Sequence, residues 1–93
     1  MTKVRVIARA VARKGKEGKL KELLQGMLAP THAEPGCRLY ELCESGERGR
    51  FYFYELWESQ AALEQHAASP HYNRPGLIGR TFRGQYFERG SGS

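Results

Sequence analysis

The stretch from residue 51 to residue 71, FYFYELWESQAALEQHAASPH, constrains the fold more than any other part of the chain. Its aromatic half alternates with the period of two that a strand requires. Ser59 is a good N-cap, so a helix follows the strand almost without a loop. Pro70 ends that helix because proline lacks the backbone N–H that a helix needs. Aromatic, imidazole and carboxyl side chains therefore meet in one strand–helix unit, and we expect the functional site there.

Three further segments have the pattern of strands. Residues 3–11 alternate imperfectly, residues 37–44 can form a hairpin with the aromatic strand, and residues 80–88 come last. Together with two helices the order is βαββαβ, an α+β arrangement of the ferredoxin-like type. We expect a single domain over residues 1–89 and a flexible Gly-Ser tail over residues 90–93.

The first helix is predicted from an amphipathic stripe at helical spacing. The stripe consists of Leu20, Leu23, Leu24, Met27 and Leu28. We expect the helix to end before Pro30, or to bend there and continue through His32, which should be exposed. Pro35 and Gly36 fit a type II turn in which the glycine takes a positive φ.

With both helices on one face of the sheet, the other face is left bare. Tyr52, Tyr54 and Leu56 have the parity of this bare face, which makes it too apolar to remain in water. We therefore expect a homodimer in which two sheets pack face to face.

The charge and hydropathy patterns limit the partners. The net charge of +5 arises mainly in residues 1–25, where no nucleic-acid-binding motif accompanies it, so we interpret it as a solvated face. No apolar run approaches the roughly 20 residues that cross a bilayer, and the first residues lack a signal-peptide core. The expectation is a cytoplasmic protein that binds neither nucleic acid nor membrane.

The two cysteines also favour a reducing, cytoplasmic environment. Cys37 and Cys43 share one predicted strand, and six residues at about 3.3 Å each separate them by near 20 Å. A disulfide needs Cα atoms within about 7 Å, so we expect two unpaired, buried or half-buried thiols. No local base accompanies either thiol, which argues against nucleophilic catalysis by cysteine.

Several short motifs, taken together, resemble one family. In chain order they are Val4-Arg5-Val6-Ile7-Ala8-Arg9, Ala29-Pro30-Thr31, Glu34-Pro35-Gly36-Cys37, Tyr40-Glu41-Leu42, Tyr54-Glu55-Leu56-Trp57 and Ala61-Ala62-Leu63-Glu64-Gln65-His66-x-x-Ser69-Pro70-His71. Over about residues 3–88 the sequence resembles the antibiotic biosynthesis monooxygenase (ABM) family, and within it the small quinol-monooxygenase-like members. The resemblance implies a dimeric α+β barrel.

The resemblance also implies a reaction. Such proteins oxidise a small aromatic quinol or polyphenol with dioxygen and need no metal, flavin or haem, because the deprotonated substrate itself gives electrons to oxygen. The protein supplies a base, a water-excluding pocket and stabilisation of the anion. We therefore expect a cofactor-independent monooxygenase. The family's haem-degrading branch carries asparagine, tryptophan and histidine at the positions that are Ala8, His66 and Gly76 here, so haem is not expected.

The predicted site has one catalytic residue, His66, whose ordinary pKa near 6.5 suits a base at neutral pH. The substrate-binding set is Trp57 as an aromatic wall, Tyr40 and Tyr72 as hydrogen-bond donors, and His71 and Asn73 at the mouth of the pocket. His66 and Trp57 can equally be core residues, with the imidazole bonded to a backbone carbonyl or to Glu55.

Two further predictions follow from the positions of ionisable residues. Glu55, among aromatic residues, needs a partner, and Arg5 or Arg9 on the neighbouring strand are the natural ones. His66 and His71 are five residues apart, about 140° around a continued helix, and Pro70 interrupts that helix. We therefore predict that the two histidines form no metal site.

Two alternative functions stay open on the same scaffold. One is a non-oxidative isomerase or cyclase that uses the same base and works without oxygen. The other is a protein that binds a small aromatic molecule without converting it.

Overall fold

The structure, a computed structural model, describes residues 3–73 in full and residues 82–92 as backbone. Its elements are β1 (Lys3–Ala12), α1 (Glu17–Gln25), α2 (Leu28–His32), β2 (Cys37–Glu44), β3 (Arg50–Trp57), α3 (Gln60–Ala67) and β4 (Phe82–Gly92). The four strands form one antiparallel sheet in the order β2-β3-β1-β4. This is the predicted ferredoxin-like α+β fold, with the first helical segment divided in two.

The last strand extends further than predicted. Its backbone pairs with β1 from the Phe82–Ala12 pair to the Gly92–Lys3 pair. The Gly-Ser segment over residues 90–92 is therefore part of the sheet and not a flexible tail, because the start of β1 offers it unpaired backbone groups.

The first helical segment breaks at glycine and not at proline. α1 ends at Gln25, with Gly26 as its C-cap, and α2 begins two residues later. Pro30 is the third residue of α2, in the first turn, where a missing N–H costs no helical hydrogen bond. Of the two predicted alternatives, the one in which the helix passes Pro30 is closer to the structure: α2 ends at His32, with Ala33 as its C-cap, and His32 is exposed as expected.

One face of the sheet and the helices enclose the core. The buried apolar residues are Val6, Ala8, Ala10, Ala12, Leu20, Leu23, Leu24, Met27, Tyr40, Phe51, Phe53, Trp57 and Leu63. The alternation along β3 predicted correctly that Tyr54 faces away from the core, and Tyr54 is exposed together with Arg5 and Arg9 on β1. None of the helices in the described part of the chain combines the length and the hydropathy that a bilayer-spanning segment needs.

The cysteines are unpaired, as expected. Cys37 is half-buried, whereas Cys43 is exposed and not covered as predicted, because it lies on the outer face of β2.

Candidate functional site

His66 is positioned by α3. The Ser59 side chain accepts a hydrogen bond from the Ala62 amide at 3.2 Å and fixes the start of the helix, as predicted for an N-cap. Leu63 and His66 then share the buried stripe, and His66 is only 2% exposed. Ala67 is exposed, although it follows Leu63 by four residues, a spacing that places both on one side of a helix.

The partner of His66 is a carboxyl group from another part of the chain. His66 Nδ1 lies 2.7 Å from Glu34 Oε2, on the loop that follows α2. A carboxylate oxygen accepts hydrogen bonds, so the imidazole presents Nδ1–H to it and its Nε2 keeps a free lone pair. Burial lowers the pKa of His66 below its ordinary value, although Glu34 opposes that shift. His66 is thus favoured in the neutral form that a base needs.

His71 meets the same carboxylate oxygen. Its Nε2 lies 2.7 Å from Glu34 Oε2 and 3.1 Å from Ser69 Oγ. The Ser69 hydroxyl donates to the His66 carbonyl at 2.6 Å, so it can accept the His71 N–H. The helical-spacing argument against convergence of the two histidines was wrong, because the chain turns after α3 and brings His71 back towards Glu34.

The turn that carries Glu34 packs against α3. The Cys37 amide donates to the Glu34 carbonyl at 3.1 Å, which closes the turn, and the Glu58 amide donates to the Gly36 carbonyl at 2.8 Å. Gly36 lacks a positive φ, so the predicted type II turn is wrong. Glycine is needed here because the turn lies against α3: a Cβ at this position would be 2.3 Å from the Ala62 Cβ. This close approach, one helical turn before His66, brings Glu34 within reach.

Aromatic rings surround the His66 imidazole. Ring-centroid distances are 4.6 Å to Trp57, 5.4 Å to Tyr40 and 5.2 Å to Tyr72. Trp57 is fully buried and in direct contact with His66, which is the environment of a core side chain. Tyr40 is also buried and stacks on Phe53 at 4.6 Å, whereas Tyr72 is half-buried. The solvent-facing side of the site is therefore formed by Tyr72, His71 and Glu34.

Asn73 lies near the solvent-facing side of the site, and its side-chain hydrogen bonds are structural. Its side-chain amide donates to the Ala67 carbonyl at 2.9 Å and to the Ser69 carbonyl at 2.8 Å. It thus closes the carboxyl end of α3 and stabilises the turn that carries His71.

Glu55 is paired differently from the prediction. Its Oε1 accepts a hydrogen bond from Trp57 Nε1 at 2.8 Å, within the core. Arg5 and Arg9 belong to the opposite face of β1, whereas the β1 residue opposite Glu55 is Val6. Burial raises the pKa of Glu55 to about 7, and the Trp57 hydrogen bond only partly offsets this.

Burial favours the neutral form of two further ionisable side chains near the site, Tyr40 and Cys37. Burial raises the pKa of Tyr40, and the Glu55 carboxyl raises it further. Burial also raises the pKa of the Cys37 thiol, with Glu34 and Glu55 adding to the effect. This environment disfavours a thiolate, so it gives no support to a nucleophilic Cys37.

Comparison with known families identifies the chain. The family model described as antibiotic biosynthesis monooxygenase matches residues 3–74. The chain belongs to the ABM family. A curated relative from Mycobacterium tuberculosis, named "Putative monooxygenase Rv0793", is 45% identical over 69 residues, covering 74% of this chain and 68% of the relative.

Solved structures agree with this assignment. The structure of Rv0793 from M. tuberculosis superposes with a TM-score of 0.85 at 38% identity, covering 94% of this chain and 91% of that one. PA3566 from Pseudomonas aeruginosa gives a TM-score of 0.87 at 28% identity, with coverage of 96% and 92%. A Caulobacter crescentus protein titled as a putative antibiotic biosynthesis monooxygenase gives 0.83 at 26% identity, with coverage of 95% and 87%. The fold and family expected from the sequence motifs are confirmed.

Glu34 and Ser69 are the site residues that the sequence analysis missed. Both stood in the motifs that carried the family resemblance, but neither was given a role. A carboxylate beside Pro35-Gly36, at a tight turn between two elements, is the signal that could have singled out Glu34.

Proposed function

We propose that this ABM-family protein is a monooxygenase that oxidises a small aromatic quinol or polyphenol with dioxygen and requires no cofactor. The observation that carries the proposal is the Glu34–His66 pair, a buried imidazole held by a carboxylate at 2.7 Å among aromatic rings. Family membership supplies the oxidative class, and the pair supplies the base that such chemistry requires.

The reaction balances without an external reductant. One oxygen atom of O₂ enters a ring C–H position of the quinol and the other leaves as water. All four electrons come from the substrate, which departs as a hydroxyquinone. The protein therefore only has to generate and stabilise the quinol anion that reacts with oxygen.

In this proposal His66 Nε2 removes the phenolic proton. Glu34 holds the imidazole in the tautomer with Nδ1–H and stabilises the imidazolium that forms, much as a carboxylate orients the histidine of a catalytic triad. His71 shares the Glu34 oxygen, and its side chain is 20% exposed. The proton taken up at His66 Nε2 is returned at the end of the cycle to the oxygen atom that leaves as water.

The aromatic residues take the binding roles. We propose that Tyr72 and His71 contact the ring of the substrate at the open side, while Tyr40 and Trp57 support His66 from behind and contact the substrate only after side-chain movement. Asn73 contributes by holding the turn that carries His71.

Oxygen uptake with a panel of benzo- and naphthoquinols tests the class and the base together. The His66→Gln variant should lose about 10²–10⁴-fold in kcat, the usual contribution of a general base. His32→Gln is the matched control, since His32 is exposed and bonds the Tyr40 carbonyl instead. No uptake with any quinol would refute the oxidative class, and equal rates for wild type and His66→Gln would remove His66 as the base.

The pH profile tests the Glu34–His66 pair. Because burial lowers the pKa of His66, the acidic limb of the kcat profile should lie below 6.5, the ordinary value for histidine. Glu34→Gln removes a group that raises this pKa, so its acidic limb should move lower still while kcat falls. A limb above 6.5 in wild type, or an unmoved limb in Glu34→Gln, would contradict the assignment.

A non-oxidative isomerase is the second candidate, because the Glu34–His66 pair by itself provides only proton transfer. The two functions separate under nitrogen. An isomerase or cyclase would convert its substrate without oxygen, whereas the proposed monooxygenase would not.

We also propose that the protein works as a homodimer through the outer face of the sheet. Leu39 and Tyr54 on this face are each 41% exposed, which is a large exposure for apolar strand residues. A second copy packed sheet to sheet would cover both.

A further inference from the structure

Glu34, His66 and His71 form a cluster with the composition of a metal site. One ligand atom from each, the Glu34 carboxylate oxygen, His66 Nδ1 and His71 Nε2, lies within 4.8 Å of the other two. They come from two separate segments, the turn after α2 and the end of α3 with its following turn. Three donors of this kind converge on one point although no sequence motif places them together.

The geometry needs only a small change to hold an ion. Glu34 Oε2 lies 2.7 Å from each histidine nitrogen. In a tetrahedral site with bonds near 2.0–2.1 Å, neighbouring ligand atoms are separated by about 3.3 Å. Each of these contacts would therefore open by roughly 0.6 Å, which adjustment of the Glu34 and His71 side chains can supply.

The surroundings allow a cation to enter. Glu34 and His71 have 16% and 20% of their side-chain surface exposed, whereas His66 is buried, so the cluster is open on one side only. Ser69 Oγ, 3.1 Å from His71 Nε2, is a further oxygen at this open side. The Glu55 carboxyl acts electrostatically on Glu34 from the core, and this adds to the negative potential when it is ionised.

We propose that Glu34, His66 and His71 bind a divalent first-row transition-metal ion, with Zn²⁺ as the best-suited common ion. Two imidazoles and one carboxylate suit Zn²⁺, Fe²⁺ or Co²⁺, whereas Mg²⁺ and Ca²⁺ prefer sites made only of oxygen. Three protein ligands leave a fourth position open to water or to a small ligand on the exposed side.

The bound ion and the proposed base role exclude one another. A metal on His66 Nδ1 requires the ring proton to move to Nε2, which then donates and cannot accept a proton. Binding of Zn²⁺ should therefore inhibit the proposed oxidation that depends on His66 as base. The metal site does not rest on that reaction, because it can be measured by binding alone.

Isothermal titration of chelator-treated protein with ZnCl₂ is the test, together with the visible absorption of the Co²⁺-loaded form. Wild type should bind one Zn²⁺ per chain, with a Kd in the micromolar range or tighter, and give the intense bands of tetrahedral Co²⁺. Glu34→Gln and His71→Gln keep the side-chain size near that of the original and should each weaken binding at least tenfold.

Two controls keep the result decisive. His32→Gln removes an exposed histidine outside the cluster and Glu64→Gln an exposed carboxylate on α3, and both should bind like wild type. Circular dichroism melts of every variant show whether a loss of binding reflects unfolding. Absence of Zn²⁺ binding in folded wild type, or equal binding by wild type, Glu34→Gln and His71→Gln, would overturn the proposal and leave Glu34 as a hydrogen-bonding partner only.

The outcomes also separate this site from the proposed function. If metal-free protein consumes oxygen with a quinol but binds no Zn²⁺, the metal site fails and the monooxygenase stands. If Zn²⁺ binds to the three side chains but the metal-free protein oxidises no quinol, the metal site stands and the monooxygenase fails.

Discussion

At the scale of single residues, two carboxyl groups near His66 have opposite environments. Glu34 is half-buried and accepts hydrogen bonds from two imidazoles, so its negative charge is compensated locally. Glu55 is 5% exposed, and the Trp57 indole, its hydrogen-bond donor among the described side chains, only partly offsets the cost of burying a negative charge. This difference explains why burial raises the pKa of Glu55 to about 7.

The raised pKa of Glu55 predicts how stability depends on pH. Between about pH 4.5, where the unfolded state loses this proton, and about 7, where the folded state loses it, the folded state binds more protons. The free energy of unfolding from this group is therefore greatest below pH 4.5 and falls as pH rises to 7, by at most about 3 kcal/mol. Glu55→Gln should remove that decline.

Urea denaturation at several pH values between 4 and 8 measures the effect. Glu64→Gln is the control because Glu64 is exposed on α3. Parallel pH dependence in wild type and Glu55→Gln would show that Glu55 titrates near its ordinary pKa in the folded state.

At the scale of elements, the turn after α2 and the helix α3 act as one unit. Gly36 lets the turn approach Ala62 closely, and the Gly36 carbonyl accepts the Glu58 amide at 2.8 Å. Ser69 and Asn73 fix the chain after α3, so that Glu34 and His71 meet. The site thus depends on a helix–turn contact as much as on the side chains of Glu34, His66 and His71 themselves.

Gly36→Ala should therefore disturb both stability and the site. The new Cβ would lie 2.3 Å from the Ala62 Cβ and must push the turn away from α3. We expect a loss of about 1–3 kcal/mol in the free energy of unfolding, the usual cost of overpacking, and a weakened Glu34–His66 contact.

Gly46→Ala is the matched control, since nothing lies within 4 Å of a Cβ there and the φ is not positive. Its free energy of unfolding should change by less than about 0.5 kcal/mol. Denaturation of both variants, with the histidine ring resonances followed by NMR, checks the prediction. Unchanged stability and unchanged His66 resonances in Gly36→Ala would contradict the packing argument.

At the scale of the whole molecule, the sheet has one face in the core and one face turned outwards. The helices cover the first face, while the outer face carries apolar side chains such as Leu39 and Tyr54 beside charged ones such as Arg5. A second sheet packed against this mixed face would remove its apolar side chains from water.

If the proposed homodimer forms through this face, Tyr54→Arg should shift its equilibrium towards monomer. Tyr54 is the cross-strand neighbour of Ile7 and Glu41, so an arginine there can pair with Glu41 and leave the isolated chain stable. In a sheet-to-sheet dimer the same charge would be buried against the partner and would oppose association.

Sedimentation velocity at micromolar concentration distinguishes the species. Gln25→Arg adds the same charge on an exposed position of α1, away from this face, and should leave the dimer intact. A monomeric wild type would refute the dimer, and a Tyr54→Arg protein that stays dimeric would place the interface elsewhere.

Local sequence patterns were sufficient for the elements and their faces. The alternation along β1 and β3 predicted which residues are buried, and Ser59 predicted the start of α3, because strand parity and helix caps depend on neighbouring residues only. The motifs along residues 3–74 likewise sufficed for the ABM family.

The site itself was decided by tertiary structure. Glu34 is separated from His66 by 32 residues and from His71 by 37, and no local pattern encodes their meeting. From the sequence, glycine at position 36 was explained by a positive φ. In the structure it is explained by the short distance to Ala62, a residue on another element. The sequence by itself determined the elements and the face that most strand side chains take, because these depend on neighbouring residues, whereas only the packing of a turn against a helix determined which side chains of the site touch.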